Sequence, residues 1–260
     1  MSAERSPGNG RARYAASDCR PQMLHGYVAG TSRNNGVAGE EVSVTEAMAP
    51  LEASTPVRHV RELERRVTGC TSCDLHRTRN RAVPGEGPVG ARLVLVGVAP
   101  RRQEDLQGRP FSGAARNVLD NALLDVGLDV DEIRITSLVR CRPPTDRTPT
   151  SVEVETCSSH LEAELGLVAP EVIVSFGALA TAVLYGRSLP IEKVAGYRLS
   201  LRRDVTLIPT YHPVDAVRGV PQAAAALRRD LGAARAVLDG RLRTGAQVLQ
   251  DLRARATVGT

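Results

Sequence analysis

Two sets of residues in this chain are of types that do chemistry. Cys70 and Cys73 form a C-x2-C pair in "CTSC", and Cys141 and Cys157 follow further along. Thiolates bind soft metals, so four such residues can close either a structural zinc site or a [4Fe–4S] cluster, and the spacing leaves both open. The fifth cysteine, Cys19, stands alone and reads as an incidental thiol. The second set surrounds a polar loop bounded by glycines. Phe111 in "GRPFSG" is one of only two phenylalanines and lies between Gly108, Pro110 and Gly113, as though presented on a polar loop. Glu104 and Asp105 precede it, and His212 stands in "TYHPVDAVR", followed by Asp215. A carboxylate can activate water only if it reaches that water and stays ionised. An imidazole N–H aimed at a developing anion lowers a barrier more than it stabilises the ground state.

The elements that must position these groups are legible as periodic runs. "RLVLVG" (92–97), "IRITSLV" (133–139), "EVIVSFG" (171–177) and "VTLIP" (205–209) read as buried strands. Helical patterns separate them: "AARNVLDNALLDVGL", "SVEVETCSSHLEAELGLV", "ALATAVLYG" and "QAAAALRRDLGAARAVLDG". Thr150 is placed to cap the second of these, with Glu153 at capping-box distance. Near-continuous apolar strands alternating with helices imply a three-layer α/β/α sandwich around a four-stranded, mainly parallel sheet. Ligands in such folds bind at the loops leaving the strands' C-terminal ends. That edge carries 98–113, 140–149 and 210–219, with Arg101, Arg102, Arg140, Arg142, Arg147 and Arg218 as candidate grips for phosphate.

Composition sets the outer limits. The net charge of +5 suits a polyanionic partner, and no apolar run approaches a membrane span of about 18–20 residues. The start lacks the apolar core of a secretory signal, so a cytoplasmic protein is expected. Residues 1–56 contain no Ile, no Phe and two Leu, Leu24 and Leu51, and are expected to be disordered. The folded domain is expected over 57–240, with a helical or frayed tail at 241–260.

The motifs "CTSCDLHRTRNRAVPGEGPVGARLVLVG", "EDLQGRPFSGAARNVLDNAL", "ITSLVRCRPPTDRTPT", "CSSHLEAELGLVAPEVIVSFGALA" and "PTYHPVDAVR" together resemble the iron–sulfur uracil-DNA glycosylases, types 4 and 5. The resemblance covers nearly the whole expected domain. It implies a [4Fe–4S] cluster on Cys70, Cys73, Cys141 and Cys157, structural rather than reactive. It implies that Phe111 stacks on a flipped base, that His212 stabilises the leaving anion, and that Val98, Ala99 and Ser137 line the base site. Asp105 is the candidate second catalytic residue, and Arg101, Arg142 and Arg218 are the candidate DNA contacts. The implied partner is DNA containing uracil or another deaminated base, engaged by a monomer. An enzyme of this kind must extrude its base before it can cleave the glycosidic bond.

Three positions depart from the family pattern. The type-4 loop Gly-Glu-x-Pro-Gly is here Gly97-Val98-Ala99-Pro100-Arg101, so an apolar side chain replaces an acid, as in type 5. Ser137 stands where an Asn reads the pyrimidine edge, and Val214 follows His212-Pro213 in place of Ser. Three readings follow: uracil excision, excision of another deaminated base, or noncatalytic DNA binding by an iron–sulfur protein.

Overall fold

The computed structural model describes residues 55–201, 205–242 and 247. Of the segment expected to be disordered, 1–54 with Cys19 lies outside them, as does most of the expected tail, while its last two residues, Thr55 and Pro56, begin a helix. The chain enters with helix α1 (Thr55–Thr68), passes a 3-10 turn (Asp74–Arg77) and reaches β1 (Leu93–Gly97). Helices α2 (Arg102–Gln107) and α3 (Ala114–Asp125) follow, then β2 (Ile133–Ser137), α4 (Ser151–Val168), β3 (Val172–Phe176) and α5 (Gly177–Tyr185). The remainder is α6 (Ile191–Val194), β4 (Leu199–Ser200), β5 (Thr206–Thr210), α7 (Pro213–Val217) and α8 (Ala223–Leu238).

The strands form one sheet in the order β2-β1-β3-β5-β4. Every neighbouring pair is parallel except β4 with β5. The sheet therefore has five strands, not the four expected. The extra strand is two residues long, and two residues cannot display a period of two.

Alternation along the strands explains the layering. Leu93, Leu95, Ile135, Val174 and Ile208 face one way, onto Leu119 and Leu123 of α3 and Leu227 and Leu231 of α8. Val94, Val96, Ile173 and Leu207 face the other, onto Leu161 and Leu165 of α4 and Ala180 and Leu184 of α5. Both faces are covered, which is why the strands read as continuous apolar runs. The expected cap is present: Thr150 Oγ1 accepts the Glu153 N–H at 3.2 Å, and a Glu153 carboxylate oxygen accepts the Thr150 N–H at 2.7 Å. Such a cap contributes about 1 kcal/mol to α4, the helix that carries Cys157.

Candidate base-binding cleft and cysteine cavity

Parallel strands end together, so β1, β2 and β5 deliver their following loops to one edge. There Gly97, Val98, Ala99, Arg101, Glu104, Phe111, Ser137 and His212 line a cleft of about 350 Å³ including its open mouth. The expected base-site residues Val98, Ala99, Phe111 and Ser137 thus converge, and His212 joins them.

Phe111 is not presented to solvent as the polar loop suggested. It is 5 % exposed and belongs to the core under α3 and α8. Its ring meets Phe176 edge-on at 5.4 Å and lies nearly parallel to the His212 ring, with centroids 5.6 Å apart and 20° between planes. The core thus fixes one side of the ring while the cleft uses another. The loop adopts a left-handed φ of 50° at Phe111, a strained conformation for a bulky residue. Surrounding bonds hold it there: Arg109 Nε donates to Glu86 at 3.0 Å, and the Ser112 N–H donates to Glu104 at 3.1 Å. Gly97 is needed for close approach, because a Cβ there would lie 3.0 Å from the Phe111 ring.

His212 caps α7. Its Nδ1 accepts the Val214 N–H at 3.1 Å, and its backbone N–H donates to Asp215 at 3.1 Å. Because Nδ1 is an acceptor, the proton of the neutral ring sits on Nε2. Burial, followed by the charges of Arg101 and Arg218, holds the imidazole pKa down to about 4. The ring is therefore a neutral donor at physiological pH. The Val at position 214 does not disturb this, since its backbone rather than its side chain does the holding. Tyr211 packs away from the cleft, buried with Ala223 and Ala226, and its hydroxyl accepts from Gln222 at 3.2 Å.

The two acids separate cleanly. Asp105 is fully buried, and its carboxylate accepts the Asn80 N–H at 2.8 Å, the Asn80 amide and the Arg81 N–H at 3.3 Å. It does not line the cleft. Glu104 does, and it bridges two walls by accepting the Arg101 N–H at 3.0 Å as well as that of Ser112. The acidic pair was visible in the sequence, but α2, which turns one carboxylate to each side, was not.

The arginines also divide. Arg101 lines the cleft and Arg218 is exposed. Arg142 donates to Asp146 at 2.6 Å, and Arg147 grips Glu153 through two bonds of 2.6 and 2.8 Å. Arg140 is 2 % exposed and cannot reach phosphate on the surface. Its guanidinium donates to Glu164 at 2.6 Å, and Arg134 donates to the other oxygen of Glu164 at 2.7 Å. Arg140 as a surface grip is therefore corrected to a buried ion-pair member.

The four cysteines of the body surround a second cavity of about 290 Å³, with Arg79, Arg140, His76 and His160 among its walls. Arg79 donates to Cys141 Sγ at 2.9 Å. Burial pushes the Cys157 thiol up to about 11, against the charge and backbone N–H of Arg140, and pushes Cys141 in the same direction. Among the described residues, no three His, Cys, Asp or Glu side chains converge on a point that would hold a single ion. The thiols ring a space instead. Two buried nitrogens on its walls, Arg140 Nε and His160 Nδ1, have no hydrogen-bond partner. Sequence reasoning missed His160, whose only signal was its place three residues after Cys157.

Comparison with known proteins agrees with this geometry. A family model, the uracil DNA glycosylase superfamily, matches residues 84–231. A type-4 uracil-DNA glycosylase of Archaeoglobus fulgidus is 38% identical over 159 residues, covering 58% of this chain and 80% of the relative. One from Thermotoga maritima is 40% identical over 149 residues, covering 57% and 78%. A type-5 uracil-DNA glycosylase of Pyrobaculum aerophilum is 38% identical over 115 residues, covering 38% and 50%. With its cleft at the sheet edge and a family match spanning more than half its length, the chain belongs to the uracil DNA glycosylase superfamily.

Proposed function

We propose that the protein hydrolyses the N-glycosidic bond of uracil in DNA. The observation that carries this reading is the pairing of a core-anchored Phe111 with a neutral His212 in one cleft. A flipped uracil stacks on Phe111, a contact of the kind worth roughly 1–3 kcal/mol per base. As the bond from C1′ to N1 breaks, both electrons go to the base, and His212 Nε2–H donates to the resulting anion. Water adds to C1′ and loses a proton, and the base is released after taking one up.

A neutral imidazole suits this step, because a donor that starts uncharged does not bind the ground state strongly. Val98 removes the acid from the first motif, so leaving-group stabilisation bears most of the catalytic effect. Glu104 is the carboxylate that remains in the cleft, and its role is to hold the Val98–Arg101 loop against the Phe111 loop. Asp105 anchors α2 to residues 80–81 and takes no part in the chemistry. Ser137 offers a single hydroxyl to the pyrimidine edge.

The cysteine cavity suits a [4Fe–4S] cluster held by Cys70, Cys73, Cys141 and Cys157. The all-thiol donor set fits such a cluster, the two orphaned nitrogens among the residues lining the cavity suit its negative charge, and the resemblance of the motifs favours it over zinc. Those cysteines would join the segment after α1, the loop after β2 and α4 through the cluster, whose contribution would be structural and not to bond cleavage. The partner is DNA, gripped by Arg101 and Arg218, and the cleft is complete within a monomer. Among the described residues no helix is long and apolar enough to cross a membrane. The relatives' names favour uracil over another deaminated base and over a noncatalytic role.

The test is incubation with end-labelled oligonucleotides bearing one uracil or one hypoxanthine, followed by alkaline cleavage. Strand scission at uracil, exceeding that at hypoxanthine, is expected. Binding without scission at either base would overturn the proposal.

A further inference from the structure

We propose that Arg79, Arg140 and His160 form a shell of N–H donors that sets the reduction potential of the cluster. This rests on the cofactor reading above. A four-thiolate iron–sulfur cluster carries net negative charge, and a buried anion needs hydrogen bonds and positive charge around it. The cavity walls hold Arg79, Arg140, His76 and His160 and no carboxylate.

Three observations show donors directed at the cysteine sulfurs or left waiting beside them. Arg79 reaches Cys141 Sγ at 2.9 Å while a second nitrogen donates to the Thr68 carbonyl at 3.1 Å, which fixes the guanidinium at the end of α1. Arg140 lines the cavity with Cys157, and its charge and backbone N–H oppose the upward push of burial on that thiol. Its side chain is clamped by Glu164 at 2.6 Å, yet Nε has no partner. His160 follows Cys157 by three residues on α4, so the two share a helix face. It is 8 % exposed, and its Nδ1 is buried without a partner.

Buried polar nitrogens are rarely left unpaired, and on the wall of a thiol-lined cavity Arg140 Nε, and His160 Nδ1 in the tautomer that carries its proton there, would donate to an occupant. Bridging sulfides are such acceptors. Hydrogen bonds to cluster sulfur withdraw electron density and raise the potential, and outer-sphere partners of metal ligands commonly govern metal retention. Arg79, Arg140 and His160 are thus positioning residues for the cofactor, distant in role from the base cleft.

The experiment uses the full chain purified anaerobically, with iron and sulfide assayed first. The midpoint potential is then measured by redox titration, and cluster loss to an iron chelator is timed. Arg79→Leu and His160→Leu are expected to lower the midpoint and to speed cluster loss roughly 10-fold. His160→Gln, which keeps an N–H, and Arg79→Lys, which keeps the charge, should recover most of the wild-type potential. Iron-loaded variants with unchanged midpoint and unchanged loss would overturn the proposal. Wild-type protein with stoichiometric zinc and no iron would instead overturn the cofactor reading itself.

Discussion

The base cleft and the cysteine cavity lie at either end of one short segment, Ser137 to Cys141, yet they are built on opposite principles. In the cleft, polar groups are held by neighbours. His212 is fixed by Val214 and Asp215, and Glu104 by the backbone of Arg101 and Ser112. In the cysteine cavity, four thiols line a space, and two buried nitrogens of the residues around it have bonds left unmade. Under the proposed function, the first site is preorganised for a visitor that must leave and the second is shaped for a resident. Between them the buried ion-pair network of Arg134, Arg140 and Glu164 ties α4 to β2, so each site is stiffened by the same strand.

That contrast can be broken from either side. Glu164→Ala leaves the buried Arg140 guanidinium without a carboxylate and takes from Arg134 one of its two, the other being Glu64, and should cost roughly 3–5 kcal/mol of stability by denaturant unfolding. Both sites should loosen together, with iron retention and uracil release falling in parallel. His212→Ala should separate them instead. Single-turnover release should drop roughly 10²–10³-fold, equivalent to about 3–4 kcal/mol, while iron content and unfolding midpoint stay near wild type.

Smaller changes sharpen the picture. Phe111→Leu keeps an apolar side chain in the core but removes the ring, so binding of a uracil-bearing strand should weaken by about 1–3 kcal/mol in fluorescence titrations. A larger loss of stability than of binding would place Phe111 with the core rather than the cleft. Arg218→Ala should weaken DNA binding evenly across sequences and reduce the slope of log K against log salt by about 1. The same substitution at Arg142, already paired with Asp146, should change that slope less.

Much of this is legible in the sequence. The strands, the Thr150 cap, the four cysteines and the position of His212 after the last long strand follow from period, spacing and turn chemistry. What stayed hidden depends on contacts distant in sequence. Arg140 looks like a surface cation because nothing nearby announces Glu164, which is 24 residues away. Phe111 looks exposed because its flanks are polar, although Phe176 and α3 enclose it. Asp105 looks like a second catalytic acid until Asn80 and Arg81 occupy it. The edge strand β4 is too short to carry a pattern.

The burial of His212 also has a cost with a definite sign. Above its ordinary pKa of 6.5 the ring is neutral in both the folded and unfolded chain, and pH does not matter through this group. Below that value the unfolded chain takes up a proton first, so stability declines as pH falls toward about 4.

The most direct test of the catalytic account is the single-turnover rate of uracil release as a function of pH, in the acid range where the protein remains folded. Leaving-group stabilisation by a neutral His212 predicts a rate that holds through 6.5 and declines only toward about 4. A decline centred on 6.5, or a profile unchanged in His212→Ala at wild-type rates, would contradict it.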